Sequence, residues 1–145
     1  MNTVAESVLA KNTFSHVCEG DTPYESGGLR DFFLYRDLGI AAATGGQVVA
    51  QLVKANMPPE QGTGWHRHEA NFHIVIMLKG WARFMYEDKE TLVKAGDCVH
   101  QRPGIVHFLF DYSPDMEYLE IVSPADFTSI DMPAPCATPA PTPWN

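Results

Sequence analysis

Apolar and aromatic residues in this chain come in short runs separated by turn residues, with no long stretch of helical period. From position 30 onward the runs are Asp31 to Asp37, Gln47 to Ala55, Phe72 to Leu78, Ala82 to Glu87, Cys98 to Gln101, Val106 to Phe110 and Met116 to Val122. Between them stand Thr44-Gly45-Gly46, Met57-Pro58-Pro59, Lys79-Gly80, Glu87-Asp88-Lys89-Glu90, Ala95-Gly96-Asp97, Pro103-Gly104 and Ser113-Pro114-Asp115. Runs this short, rich in β-branched and aromatic residues and bounded by glycine, proline and aspartate, are strand signals. Seven or eight strands at this spacing predict an all-β sandwich or barrel. No convincing helix interrupts them, and no repeat of fixed period is present.

The flanks differ in composition. Residues 1–29 are polar and weakly patterned, with a short amphipathic turn from Thr3 to Lys11 and a break across Gly20 to Gly28, and read as an arm. The barrel proper is expected over 30–130. Residues 131–145 carry five prolines, which remove backbone donors and fix φ, so this segment should run extended outside the sheets as a strap. Trp144 or Met132 is the expected anchor, since an undocked tryptophan leaves a large ring in water.

At 145 residues, 45% apolar and 19% charged, the chain has the size and composition of one globular domain. Ten basic against eighteen acidic side chains, a net charge of −8, oppose attraction to nucleic-acid phosphates or anionic lipid. Met1 to Phe14 lacks the basic start and apolar core of a secretory signal, and the apolar run Ile74 to Leu78 is too short to span a bilayer. A cytoplasmic protein that contacts neither nucleic acid nor membrane is expected. Cys18, Cys98 and Cys136 form no Cys-x-x-Cys pair and should be reduced thiols.

Three of the six histidines fall within eight residues, His66, His68 and His73, in the segment Gly64-Trp-His-Arg-His-Glu-Ala-Asn-Phe-His-Ile. On a strand, residues two apart share a face, so the imidazoles of His66 and His68 can converge on one ion. His73 breaks that parity, but Glu69-Ala70-Asn71 can act as a bend returning the next strand alongside the first. His107 comes from a later strand, just after Arg102-Pro103-Gly104. Arg67 and Glu69 alternate with the histidines and should form an outward ion pair. His16 and His100 read as structural or exposed.

The spacing of glycines around these histidines resembles the cupin superfamily. His66 and His68 match the His-x-His of its first motif, His73 stands where the family usually has glutamate, and Gly80 closes the motif after six intervening residues. Glu60 stands where the leading glycine would fall, with Gly62 and Gly64 nearby. Gly96, Gly104 and His107 match the second motif, with Arg102 in place of its first proline and Asp111 in place of its asparagine. Fifteen residues, Trp81 to Ala95, separate the two motifs.

The resemblance implies a cupin β-barrel, the double-stranded β-helix or jelly-roll. In it His66, His68, His73 and His107 would hold one divalent metal ion (Fe, Zn, Ni, Mn or Cu), and the chain would form a homodimer. Replacing the motif glutamate by His73 removes a negative charge from the ligand set, so the ion should favour an anionic exogenous ligand. The expectation is a non-haem, iron-dependent, dioxygenase-like enzyme acting on a small anionic chelating substrate. The alternatives are a non-catalytic small-molecule-binding module and a metal-dependent sugar isomerase or epimerase. The last needs a base near the metal, and no carboxylate is evident at that point. Trp65, Phe72, Phe108 and Phe110 flank the ligands as candidate pocket walls, and Arg83 and Arg102 are candidate partners for an anion.

Overall fold

Each of the seven apolar runs becomes a strand in the computed structural model, which describes residues 6–28, 30–60 and 62–144. The elements are α1 (Glu6–Lys11), β1 (Phe33–Asp37), α2 (Ile40–Ala43), β2 (Val49–Ala55), β3 (His66–Glu69), β4 (Phe72–Lys79), β5 (Trp81–Tyr86), β6 (Lys89–Lys94), β7 (Cys98–His100), β8 (His107–Tyr112), β9 (Glu117–Ser123) and β10 (Thr128–Asp131). They pair antiparallel into two five-stranded sheets, β1-β2-β9-β4-β7 and β10-β3-β8-β5-β6.

Alternation decides which side chains face inward. Along β4 the buried row is His73, Val75 and Met77, and along β9 it is Tyr118, Glu120 and Val122. Val53, Val75, Met77 and Tyr118 from one sheet meet Ala82, Phe84, Val93 and Leu109 from the other in one apolar core. A large apolar side chain so buried contributes roughly 1.5–3 kcal/mol. Polar positions of the same inward rows, His73 and Glu120 among them, gather beside this core.

The structure also departs from the pattern. The stretch Glu87 to Glu90, read as a turn, is a turn only at its start. Glu87 adopts φ 57°, and β6 begins at Lys89. In β6 only Val93 is buried, so the strand carries no hydrophobic alternation. A single helical turn, α2, separates β1 from β2 after Gly39 at φ 78°. Of the turn expected from Thr3 to Lys11, residues 3–5 lie outside the described residues and α1 accounts for the rest. The bend at Glu69-Ala70-Asn71 does not return β4 alongside β3. β3 pairs with β8 and β10, whereas β4 pairs with β9 and β7, so the bend carries the chain from one sheet to the other.

Gly80 turns β4 into β5 at φ 66°, and a Cβ there would stand 2.6 Å from Asp115 Oδ1 and against Ser113 Oγ. The closing glycine of the first motif is therefore a steric requirement.

The strand β8 is buried at every position. Its register against β5 shifts, Arg83 opposing Asp111 while Phe84 opposes Leu109, so Phe110 is the extra residue of a bulge. Before the bulge His107 and Leu109 face inward; beyond it Tyr112 does, and Asp111 is turned to the outer face.

The proline-rich strap covers that outer face. Trp65 Nε1 donates to Thr138 Oγ1 at 2.9 Å, and Thr142 donates its N–H (3.1 Å) and its hydroxyl (2.8 Å) to the carboxylate of Asp111. Trp144 donates to Tyr112 O at 3.2 Å and lays its ring against the Tyr112 ring, while the N–H of Met132 bonds Trp65 O at 3.0 Å. The arm is pinned by buried Arg36, which donates to Cys18 O and Thr22 O. Cys18 and Cys98 are exposed, Cys136 is half-buried, and all three are free thiols.

Candidate metal centre

Strand β3 alternates as expected. His66 and His68 are buried, and Arg67 and Glu69 face outward as a pair 3.6 Å apart. His66 lies directly opposite His107 across the β3–β8 pairing, so two motifs far apart in sequence meet at one level of one sheet. Gly104 N–H bonds the His68 carbonyl at 3.0 Å and ties the second motif to the first. The ring centroids of His66, His68 and His107 stand 4.3 to 4.9 Å apart, and one ligand nitrogen from each falls within 4.8 Å of the others.

These three rings are prepared for a cation. His66 Nδ1 donates to Gly64 O at 2.7 Å, and His107 Nδ1 donates to Ile105 O at 2.9 Å. Both protons are thereby fixed on Nδ1, leaving Nε2 of each ring as a lone-pair donor. Both carbonyls belong to turns made by glycines at positive φ, Gly64 (77°) itself and Gly104 (82°) just before Ile105. Burial pushes the pKa of all three histidines down. His68, also opposed by His107 and His73, falls to about 2, His107 to about 3, and His66 is lowered as well. Neutral imidazoles crowded in a buried place, with His68 Nδ1 lacking a hydrogen-bond partner among the described residues, fit a divalent ion. Three histidines are thus positioned to bind a metal.

His73 does not belong to this group of three. It reaches the site from the opposite sheet, its ring 5.0 Å from that of His68. Its Nε2 lies 2.6 Å from Glu120 Oε1, inside ion-pair distance though off the line of a straight hydrogen bond, and its Nδ1 has no partner among the described residues. Gln51 Nε2 donates to the other Glu120 oxygen at 3.0 Å. Burial alone would raise the Glu120 pKa, but the contacts with His73 and Gln51 outweigh it and hold the carboxyl below its ordinary value. A carboxylate therefore stands beside the histidines after all. Sequence reading missed it because Glu120 sits on β9, far from either motif; its inward parity with Tyr118 and Val122 was the only available signal.

A cavity of about 180 Å³ opens over these groups. It also exposes Arg30, Tyr35 and Gln101, none of them expected. Gln101, the residue before Arg102, is buried and donates to Tyr86 OH. The Arg30 side chain makes no ion pair among the described residues. The six expected pocket residues stand elsewhere. Trp65, Phe108 and Phe110 pack with Met85 in a separate cluster under the strap, on the outer face of the sheet. Phe72 is half-buried, out of step with the inward row of β4. Arg83 lies 4.0 Å from Asp111, and Arg102 pairs with Glu87 at 2.7 Å at the surface. For Trp65, Phe72 and Phe108 the reason is parity: neighbours in sequence of an inward histidine face the other way.

Residues 53–122, just under half of the chain, match the family model described as Cupin domain, and this stretch carries the histidines of both motifs within two antiparallel sheets. An oxalate-binding protein of Thermotoga maritima is 30% identical over 70 residues, which cover 48% of this chain and 58% of that protein. The matched part is thus under two thirds of that relative's length. A crystal structure described as a predicted oxalate decarboxylase, also from Thermotoga maritima, is 26% identical with a TM-score of 0.54, over 63% of this chain and 79% of that one. The polyketide cyclase RemF from Streptomyces resistomycificus shares the fold at 17% identity, TM-score 0.64, over 85% of this chain and 90% of that one. Among the described residues no helix is long and apolar enough to cross a membrane.

Proposed function

We propose that this protein is a metal-dependent enzyme, of the iron dioxygenase type, acting on a small anionic substrate that chelates the ion. The observation that carries this reading is the placement of three neutral histidines and of Arg30, a cation with no ion pair among the described residues, around one small cavity. His66, His68 and His107 would hold the metal. A ferrous ion bound there would supply Lewis acidity toward a chelating anion and one-electron chemistry toward O2. The chain's own part is to orient and to exclude water. Arg30 meets a carboxylate or enolate with its planar fork, and the Gln101 and Tyr35 side chains bound the space left for the rest of the molecule. The cavity slightly exceeds the roughly 150 Å³ that accommodates benzene, so the substrate has on the order of ten non-hydrogen atoms or fewer. That size favours small dicarbonyl compounds, thiol acids and dicarboxylates over fused aromatic rings.

The test is anaerobic reconstitution with Fe(II), followed by O2 uptake with short 1,3-diketones, thiol acids and dicarboxylates. Uptake that needs both iron and Arg30 supports the proposal. No uptake with any of these classes would sink it. The similarity to a protein named for oxalate binding favours one second reading, a non-catalytic carboxylate-binding module. Oxalate bound by the metal-loaded protein without turnover would favour it.

A further inference from the structure

The position where the family pattern expects a carboxylate ligand holds His73, and a carboxylate stands instead on the neighbouring strand. Residue 73 opposes Val122, and Glu120 opposes Val75, so His73 and Glu120 are diagonal neighbours on the inward face of the β4–β9 pair. From there Glu120 Oε1 meets His73 Nε2 at 2.6 Å, while Glu120 Oε2 accepts from Gln51, the residue facing it on β2. Both carboxylate oxygens are engaged, and the Glu120 side chain is only 11% exposed. The ring nitrogens that gather on a common point come from His66, His68 and His107, with His73 outside that set. His73 is 3% exposed and lines the same cavity; its Nε2 has the off-line contact with Glu120 but no straight hydrogen bond, and its Nδ1 has no partner among the described residues.

We propose that His73 is not a fourth metal ligand but a side chain clamped by Glu120 and Gln51, standing beside a three-histidine centre. The clamp holds Nε2 on Glu120, and neither ring nitrogen of His73 falls among those that converge from His66, His68 and His107, so the ring lines the cavity beside the ion rather than at it. The protein then supplies three donors only, leaving room at the ion for a chelate of two atoms. Glu120 acts through His73 and is a positioning residue. The inference rests on the metal-binding reading above and deepens it.

Zinc and the full-length protein test it without turnover. In long-range 1H–15N spectra of histidine-labelled protein, a nitrogen bound to zinc and a nitrogen carrying a proton resonate apart. One equivalent of Zn(II) should convert three imidazoles to the metal-bound pattern and leave His73, assigned by the loss of its signals in His73→Asn, without it. Four metal-bound imidazoles would overturn the proposal. Glu120→Gln should move the His73 resonances and leave zinc on the same three rings; unmoved His73 resonances would refute the clamp. Affinity gives an independent reading if a spectrum is poor. His73→Asn should keep the zinc Kd within about threefold, whereas His107→Ala should weaken it at least about a hundredfold. Equal losses in the two variants would make His73 a ligand. If zinc shifts no imidazole of the unsubstituted protein, the metal-binding reading itself fails and takes this inference with it.

Discussion

Removing metal should make the protein sensitive to mild acid. In the folded chain His68 and His107 are held neutral, with pKa values of about 2 and about 3, whereas an unfolded histidine titrates near 6.5. Because the folded values are depressed, the unfolded state binds protons first as pH falls below roughly 6.5, and each proton taken up favours unfolding. At pH 5.5 each such histidine contributes about 1.4 kcal/mol to that shift and at pH 7.5 almost none, so the pair removes about 3 kcal/mol over this interval. His66, lowered by burial in the same way, adds to it. Glu120 acts in a lower window: its pKa is held below the usual carboxylate value, so its contribution is present above about pH 4.5 and is lost only as pH falls further. Against a typical stability of 5–15 kcal/mol, a loss of about 3 is easily measured. The assay is urea denaturation of chelator-stripped protein at pH 7.5, 6.5 and 5.5, with a His68→Gln, His107→Gln double variant as control. The control should lose the part due to the pair and keep only the smaller slope that His66 contributes. A stripped wild-type protein that loses less than about 1 kcal/mol between pH 7.5 and 5.5 would refute the claim that these rings are buried and neutral.

Other predictions bear on separate parts of the molecule. His107→Ala should abolish metal binding yet keep a cooperative unfolding transition by circular dichroism, since the apolar core holds the barrel; collapse to an unfolded chain would make the ion structural. Thr142→Val removes a hydroxyl bond to the fully buried carboxylate of Asp111 and should cost about 1.5–3 kcal/mol in urea, with faster proteolysis of the strap. Gly80→Ala forces a side chain into a left-handed turn against Ser113 and Asp115 and should lower stability by about 2 kcal/mol or more, read as a fall in Tm. We also propose that the chain is a homodimer in solution, which light scattering at the mass of a single chain would disprove.

The strands and the pair His66 and His68 were legible because both depend on local pattern, whereas His107, which meets them across the pairing of distant strands, was legible only through the resemblance of its segment to the second cupin motif. Short apolar runs between turn residues set β1, β2, β4, β5, β7, β8 and β9, and His-x-His on a strand brings His66 and His68 to one face by parity alone. What could not be read depends on pairing between distant strands. Glu120 and Gln51 become site residues only because β9 lies between β2 and β4, an order that no local pattern reveals. Arg30 joins the cavity from the end of the arm for the same reason. The aromatic neighbours of these histidines lie outside the cavity because adjacency in sequence is not adjacency in space. A strand sends Trp65 and Phe108 away from His66 and His107, to the side the strap covers. β6 and β10 were missed because neither presents an alternating apolar face.

The tautomers of His66 and His107 are set from outside the sheets, by the backbone oxygens of Gly64 and Ile105. An engineer who grafted only the two histidine-bearing strands onto another scaffold would copy the imidazoles without their switches, and each ring could then swap its proton between nitrogens. Faithful transplantation would have to carry both glycine corners along.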